Sequence, residues 1–199
     1  PKEPPQISPR RVSLKDAQVA KPSLTRSYLA PNHSADDADS VALQVFAEIL
    51  GSKSTSRLYQ AIVVERALAA WAGASYHPLA LDTSRFYIYA DALPDVSIEE
   101  VETALDDVID ELLLNGPSDE ELASAKGRMQ DAVVYALDSP QTVANIFGNA
   151  LSVGLRVEDV ESWPARVAAV TRERVMAAAR AVLRLELSVT GILLPSEEG

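Results

Sequence analysis

The order of periodic segments in this 199-residue chain predicts an α+β fold, a mixed or antiparallel sheet with helices packed on one face. Three observations carry the prediction. In Arg85–Leu93, Phe86, Ile88 and Ala90 alternate with Tyr87, Tyr89 and Asp91, the two-residue period of a strand covered on one side. Two capping boxes, Ser97 with Glu100 and Ser118 with Glu121, each open a stretch of apolar residues at helical spacing. The run Leu187–Leu194 is almost continuously apolar, as expected of a strand inside the sheet with both faces covered.

Residues 1–10, PKEPPQISPR, are proline-rich and short of apolar residues, which favours an extended linker or domain entry. Residues 11–199 have the size of a single domain with its own core. Two strand pieces are expected first, Arg11–Leu14 and Ala17–Leu29, with Pro22 confining the second to an edge or an interrupted segment. The Ser and Asp residues of PNHSADDADS then cap a helix near Asp39 and place negative charge at its positive end. In that helix Val41, Val45, Phe46, Ile49 and Leu50 recur on one side, and Gly51 offers the left-handed conformation that ends it. A polar loop follows, after which Ser56 caps a second helix with Leu58, Ile62 and Leu68 toward one side. Ala69–Pro78 and Arg85–Leu93 read as an antiparallel pair of strands.

The helical half begins at Ser97. Val101, Leu105, Val108, Ile109 and Leu112 form one stripe, while Glu102, Asp106 and Asp110 face away. Asn115-Gly116-Pro117 stops this helix and Ser118 starts the next, whose expected buried face is Leu122, Ala125, Met129, Ala132, Val133 and Ala136. Ser139-Pro140 is another helix entry, with Val143, Phe147, Ala150 and Leu151 running to Gly154. A short segment at Val157–Ser162 is interrupted by Trp163-Pro164. Thr171 caps a final helix carrying Val175, Ala178, Ala179, Val182 and Leu183.

Composition narrows the functional classes. A net charge of −11 argues against nucleic acid as a partner, because the phosphate backbone is repelled by such a surface. The absence of cysteine removes disulfides and thiolate metal sites without fixing the compartment. No apolar run reaches the length of a membrane span. The chain begins at Pro1 rather than Met, so it is expected to be an excised piece whose targeting segment lies upstream; the leaning is to a periplasmic or secreted setting.

No catalytic or metal-binding residue is predicted. The acidic pairs Asp36-Asp37, Glu99-Glu100, Asp106-Asp107 and Glu120-Glu121 are adjacent on helices, where side chains diverge by about 100 degrees. The two histidines, His33 and His77, lack a partner His at helical spacing, and only a chance contact of His33 with Asp36 and Asp37 suggests a metal. There is no G-x-S-x-G, and GSKSTS lacks the second Gly and the closing Lys-Ser/Thr of a phosphate loop.

One stretch is more specific. SRLYQAIVVERALA, Ser56–Ala69, resembles the second-domain signature of the pitrilysin/insulinase (inverzincin) zinc peptidases, in which Ser-Arg-Leu opens a helix and a Leu-Ala turn leads into a strand. The likeness extends from about Arg11 to the closing VTGILLP. Catalysis in that family uses H-x-x-E-H on a helix, which this chain does not contain. A further family feature is an Arg and a Tyr seven residues apart that hold substrate. Aligned on Ser56-Arg57-Leu58, Val63 stands at the Arg place and Ala70 at the Tyr place. The resemblance therefore implies the non-catalytic domain that follows a catalytic one, with zinc held in that upstream domain, peptides as substrates and the upstream domain as partner. Arg57, Val63 and Ala70 are the implied chamber-lining positions, although for Arg57 the favoured reading is a structural one, ion-pairing or forking onto backbone carbonyls beside the helix. Two other implications stand beside this one: an assembly or scaffold subunit of the same fold, and half of a heterodimeric protease whose partner subunit brings the Arg and Tyr. Taken alone, the domain is also a candidate homodimer through the face that meets its neighbour.

Overall fold

Five strands form one mixed sheet in the computed structural model of the chain, which describes residues 6–33 and 37–196. They are β1 (Arg10–Asp16), β2 (Ser23–Ala30), β3 (Ala69–Tyr76), β4 (Ser84–Ala92) and β5 (Ser188–Pro195), in the order β1-β5-β2-β4-β3. β1 runs parallel to β5 and every other pairing is antiparallel. The second strand begins only at Ser23, because residues 17–22 make the turn that Pro22 closes; the expected start at Ala17 is six residues early.

Seven α-helices are described: α1 (Asp37–Gly51), α2 (Ile98–Asn115), α3 (Asp119–Leu137), α4 (Pro140–Ser152), α5 (Val157–Glu161), α6 (Trp163–Ala169) and α7 (Arg172–Val182). Burial alternates along the sheet, which places them on one face. Leu24, Arg26, Tyr28 and Ala30 of β2 and Phe86, Ile88, Ala90 and Ala92 of β4 are buried, whereas Thr25, Leu29, Arg85 and Asp91 on the other face are exposed. β5 follows the same alternation: Ser188, Thr190 and Ile192 are buried and Val189, Gly191 and Leu193 only partly so. It lies inside the sheet, but the expectation that both its faces are covered does not hold.

α1 is the centre of the core. It packs against β3, α3 and α7, so Ala42, Leu43 and Ala47 are buried together with the predicted Val41, Val45, Phe46, Ile49 and Leu50. The predicted caps in Ser34–Asp36 lie outside the described residues. Gly51 is the last helical residue and has no positive φ; its reason is packing. A Cβ there stands 1.9 Å from the backbone N of Ala74, so the helix backbone touches β3 directly.

Both capping boxes form. Ser97 and Ser118 accept from the backbone N–H of Glu100 and Glu121, whose carboxylates accept in return, and Gly116 between the helices has φ of 73°. Ser139 and Thr171 cap α4 and α7 as expected. The short segment α5 breaks off at Glu161 as expected, and Trp163-Pro164 opens α6, Pro being suited to a first turn.

Two faces differ from their predicted environment. Glu102 and Asp106 of α2 do not simply face away, since they receive hydrogen bonds from buried Arg26 of β2. In α3 only Ala125 is buried; Leu122, Met129, Val133 and Ala136 are half-buried and Ala132 is exposed. Along α4, Ala150 alone is buried. The apolar periodicity of these helices faces a groove rather than a closed core.

Candidate functional site

Ser56–Ala69, the most specific stretch of the sequence, forms the corner leading into β3. Its helix is of the wide π type over Tyr59–Glu65, with Arg66 N–H donating to Ala61 O at 3.1 Å. The predicted Ser56 side-chain cap is not formed; the hydroxyl donates back to Lys53 O in the preceding loop. Leu58 and Ile62 are buried as expected and Leu68 is half-buried. Ala67 holds a φ of 48°, a left-handed conformation uncommon for a residue with a Cβ, and β3 bulges between Ala69 and Trp71. Three backbone irregularities thus fall within one corner.

Arg57 anchors that corner. Its guanidinium forks onto Glu121 at 2.7 and 3.0 Å and reaches Glu111 at 3.3 Å. The hydrogen bond from Arg57, against some desolvation and with help from the Ser118 backbone, lowers the Glu121 pKa to about 2. Glu121 therefore serves both its capping box and this ion pair. Val63 is half-buried on the π-helix and Ala70 is exposed at the bulge of the strand it packs against. Around them Val64 is 55% exposed and Trp71 is 42% exposed, the latter edge-on to Tyr59 with ring centroids 5.4 Å apart. Sequence pattern places Tyr59 on a helix and Trp71 at the start of a strand without joining them; a lone Trp among the small residues of AAWAGASY is the signal for that pair.

A second polar cluster lies beneath α2. Arg26, 3% exposed, donates to Asp106, to Glu102 at 2.8 Å and to Thr190 at 3.3 Å, while Arg11 reaches the same Glu102 at 2.7 Å. Burial opposes the charge of Arg26, yet the hydrogen bond to Asp106 and the neighbouring charges hold its pKa above the ordinary value. Glu102 is held below its usual range, the two arginines outweighing its desolvation. Complementary charges fill this cluster, which suits a structural tie between sheet and helix.

The groove noted along α3 and α4 closes into a cavity of about 610 Å³ lined mostly by apolar side chains, including Met129, Val133, Ile146, Ala150 and Trp163. Both histidines reach it: His33 N–H donates to Pro78 O at 3.1 Å, which brings the loop before α1 against the loop after β3. Arg166 donates to His33 Nε2 at 3.2 Å. Even so, among the described residues no three His, Cys, Asp or Glu side chains converge as metal ligands, and the sequence has no two His at helical spacing. The donor set does not fit a zinc ion.

The profile of the family described as the peptidase M16 inactive domain matches residues 1–129. The chain belongs to that family. The M16 inactive domain is 32% identical over 154 residues to an uncharacterized zinc protease of Streptomyces coelicolor, an alignment that takes in 76% of this chain and 33% of the relative. It superposes on a protease from Helicobacter pylori with a TM-score of 0.90 at 22% identity, covering 98% of this chain and 46% of the other. A peptidase M16 inactive domain from Pseudomonas fluorescens gives 0.81 at 23% identity, covering 96% and 44%. The chain thus spans a third to a half of the length of these relatives. Its α+β fold, its place in a zinc-protease family and its non-catalytic character agree with the reading of Ser56–Ala69.

Proposed function

We propose that this M16 inactive domain is the architectural half of a bacterial zinc metallopeptidase, packing on a zinc-holding catalytic domain so that the two enclose a chamber for peptides or unfolded segments. The observation that carries the reading is the pairing of a family-specific corner with the lack of a metal-holding group: Ser56–Ala69 keeps its buried anchors Leu58 and Ile62, while among the described residues no three side chains converge as zinc ligands and Val63 and Ala70 stand at the places of the substrate-holding Arg and Tyr. Zinc and the nucleophilic water belong to the catalytic domain, where the metal acts as Lewis acid. In this reading Val63 and Ala70, with Val64, Tyr59 and Trp71 beside them, present an apolar wall to the chamber. Arg57, half-buried and committed to Glu121, positions that wall rather than gripping peptide.

The open sheet face supplies a surface for the neighbour. It is uncovered by the chain's own helices and mixes apolar residues such as Val12, Leu14 and Leu29 with polar ones, the composition of an interdomain contact. The same face, with no neighbour present, supports a homodimer. Complementation tests the proposal: a catalytic half carrying the zinc motif is assayed on a quenched peptide while the purified inactive domain is titrated in. Turnover that rises to a plateau with complex formation is expected. Turnover indifferent to the added domain contradicts the proposal, and full assembly without any peptidase activity supports a scaffold instead.

A further inference from the structure

We propose that the free edge of β1 is a docking site for an extended partner segment in which acidic and aliphatic residues alternate, added to the sheet as a further strand. Among the described residues β1 pairs with β5 alone, and all seven of its residues, Arg10–Asp16, are exposed. Val12 is 63% and Leu14 59% exposed. Edge strands are ordinarily blunted by shortness, by bulges or by charges spread along them. This one runs through seven regular register pairs with no bulge, and the middle of its open side, Val12 and Leu14, carries no charge.

The register sets the two sides. Val12 pairs with Gly191 and Leu14 with Leu193, positions on the open face of the sheet, whereas Arg11 and Lys15 stand opposite Thr190 and Leu194 on the other side, where Arg11 reaches Glu102 of α2. A strand added to this edge therefore meets aliphatic side chains on one face and cations on the other, and Arg10 adds a cation at the start of the open side. No ion pair joins Arg10 or Lys15 to a carboxylate among the described residues, although the chain as a whole carries −11. Arg10, Arg11 and Lys15 against the single Asp16 leave the edge basic on an acidic protein, which selects acidic partners. Strand addition supplies affinity through main-chain hydrogen bonds, and the side-chain alternation supplies the selection.

Fluorescence anisotropy with the purified chain tests this, using a short labelled peptide of alternating Val and Glu, its Val-Lys counterpart, and the Val-Glu peptide N-methylated at alternate residues. The Val-Glu peptide is expected to bind, more weakly at higher salt, while the other two do not. Replacing Ser13→Glu and Lys15→Glu together should weaken it roughly ten-fold, since both positions lie on the side that meets the acidic residues and the pairing there turns from attractive to repulsive, and should admit the Val-Lys peptide. Both side chains are exposed, so the fold should survive, and circular dichroism checks that it does. Equal binding of the N-methylated peptide, indifference to the charge reversal, or no binding of the Val-Glu peptide each overturns the proposal.

Discussion

Replacing Gly51→Ala sets two rules against each other. Gly51 is a helical residue of α1, and on helix propensity alone alanine should stabilise by roughly 0.5–1 kcal/mol. The packing says the opposite. An ideal Cβ falls 1.9 Å from Ala74 N, 2.5 Å from Gly73 C and 2.7 Å from Ala74 Cβ, and two of these three atoms are backbone in the sheet. Ordinary contact needs about 3.5 Å, so α1 and β3 must separate by more than 1 Å at the centre of the core. Such overpacking costs about 1–3 kcal/mol where side chains can give way, and here the backbone cannot, so a loss of about 3 kcal/mol or more is expected. Gly127→Ala and Gly148→Ala are the controls: each lies inside a helix with nothing within 4 Å of the added carbon, and each should gain roughly 0.5–1 kcal/mol. Urea denaturation read by circular dichroism gives all three values. A neutral or stabilising Gly51→Ala would refute the direct contact of helix and strand backbones.

Arg26→Met should destabilise by about 2–3 kcal/mol in the same assay, less than the full cost of breaking a buried pair because Arg11 still neutralises Glu102 and Asp106 is partly solvated; a change below 0.5 kcal/mol would remove the tie between sheet and α2. The depressed pKa of Glu121 contributes stability that is fully present above the ordinary carboxyl range and is lost as pH falls toward about 2. With the Glu121 side chain 32% exposed and solvent screening the pair, that loss is about 1 kcal/mol between pH 5 and 2; Glu121→Gln should flatten this part of the pH profile, and an unchanged profile contradicts the assignment. Replacing Gly116→Ala forces a left-handed φ of 73° on a residue with a Cβ and crowds Arg172, for an expected loss of about 1–2 kcal/mol by thermal denaturation.

What could be read from the sequence was what is decided locally. The boxes at Ser97 and Ser118 need only residues three apart, and both form; the alternation of Phe86, Ile88 and Ala90 gave the strand and its buried side. Sheet order was not legible, because the parallel pairing of β1 with β5 joins the two ends of the chain. For the same reason Glu102 and Asp106 read as solvent-facing: their partner Arg26 lies 76 and 80 residues away. Periodicity told which side of α3 was apolar but not what that side met, and Met129, Val133 and Ala136 border a groove. Gly51 was assigned to a helix stop, since a sequence does not show which backbone will approach it. At the candidate corner the family resemblance implies Arg57, Val63 and Ala70 as lining positions, but the π turn, the left-handed Ala67 and the Tyr59–Trp71 pair arise from how the helix is fitted between α2 and β3.

Incubating the purified chain with zinc and a quenched peptide, then measuring both retained metal after gel filtration and chelator-sensitive turnover, addresses the non-catalytic assignment directly. The donor set described above predicts no stoichiometric zinc and no turnover above the peptide blank. One equivalent of retained zinc together with hydrolysis abolished by a chelator contradicts it.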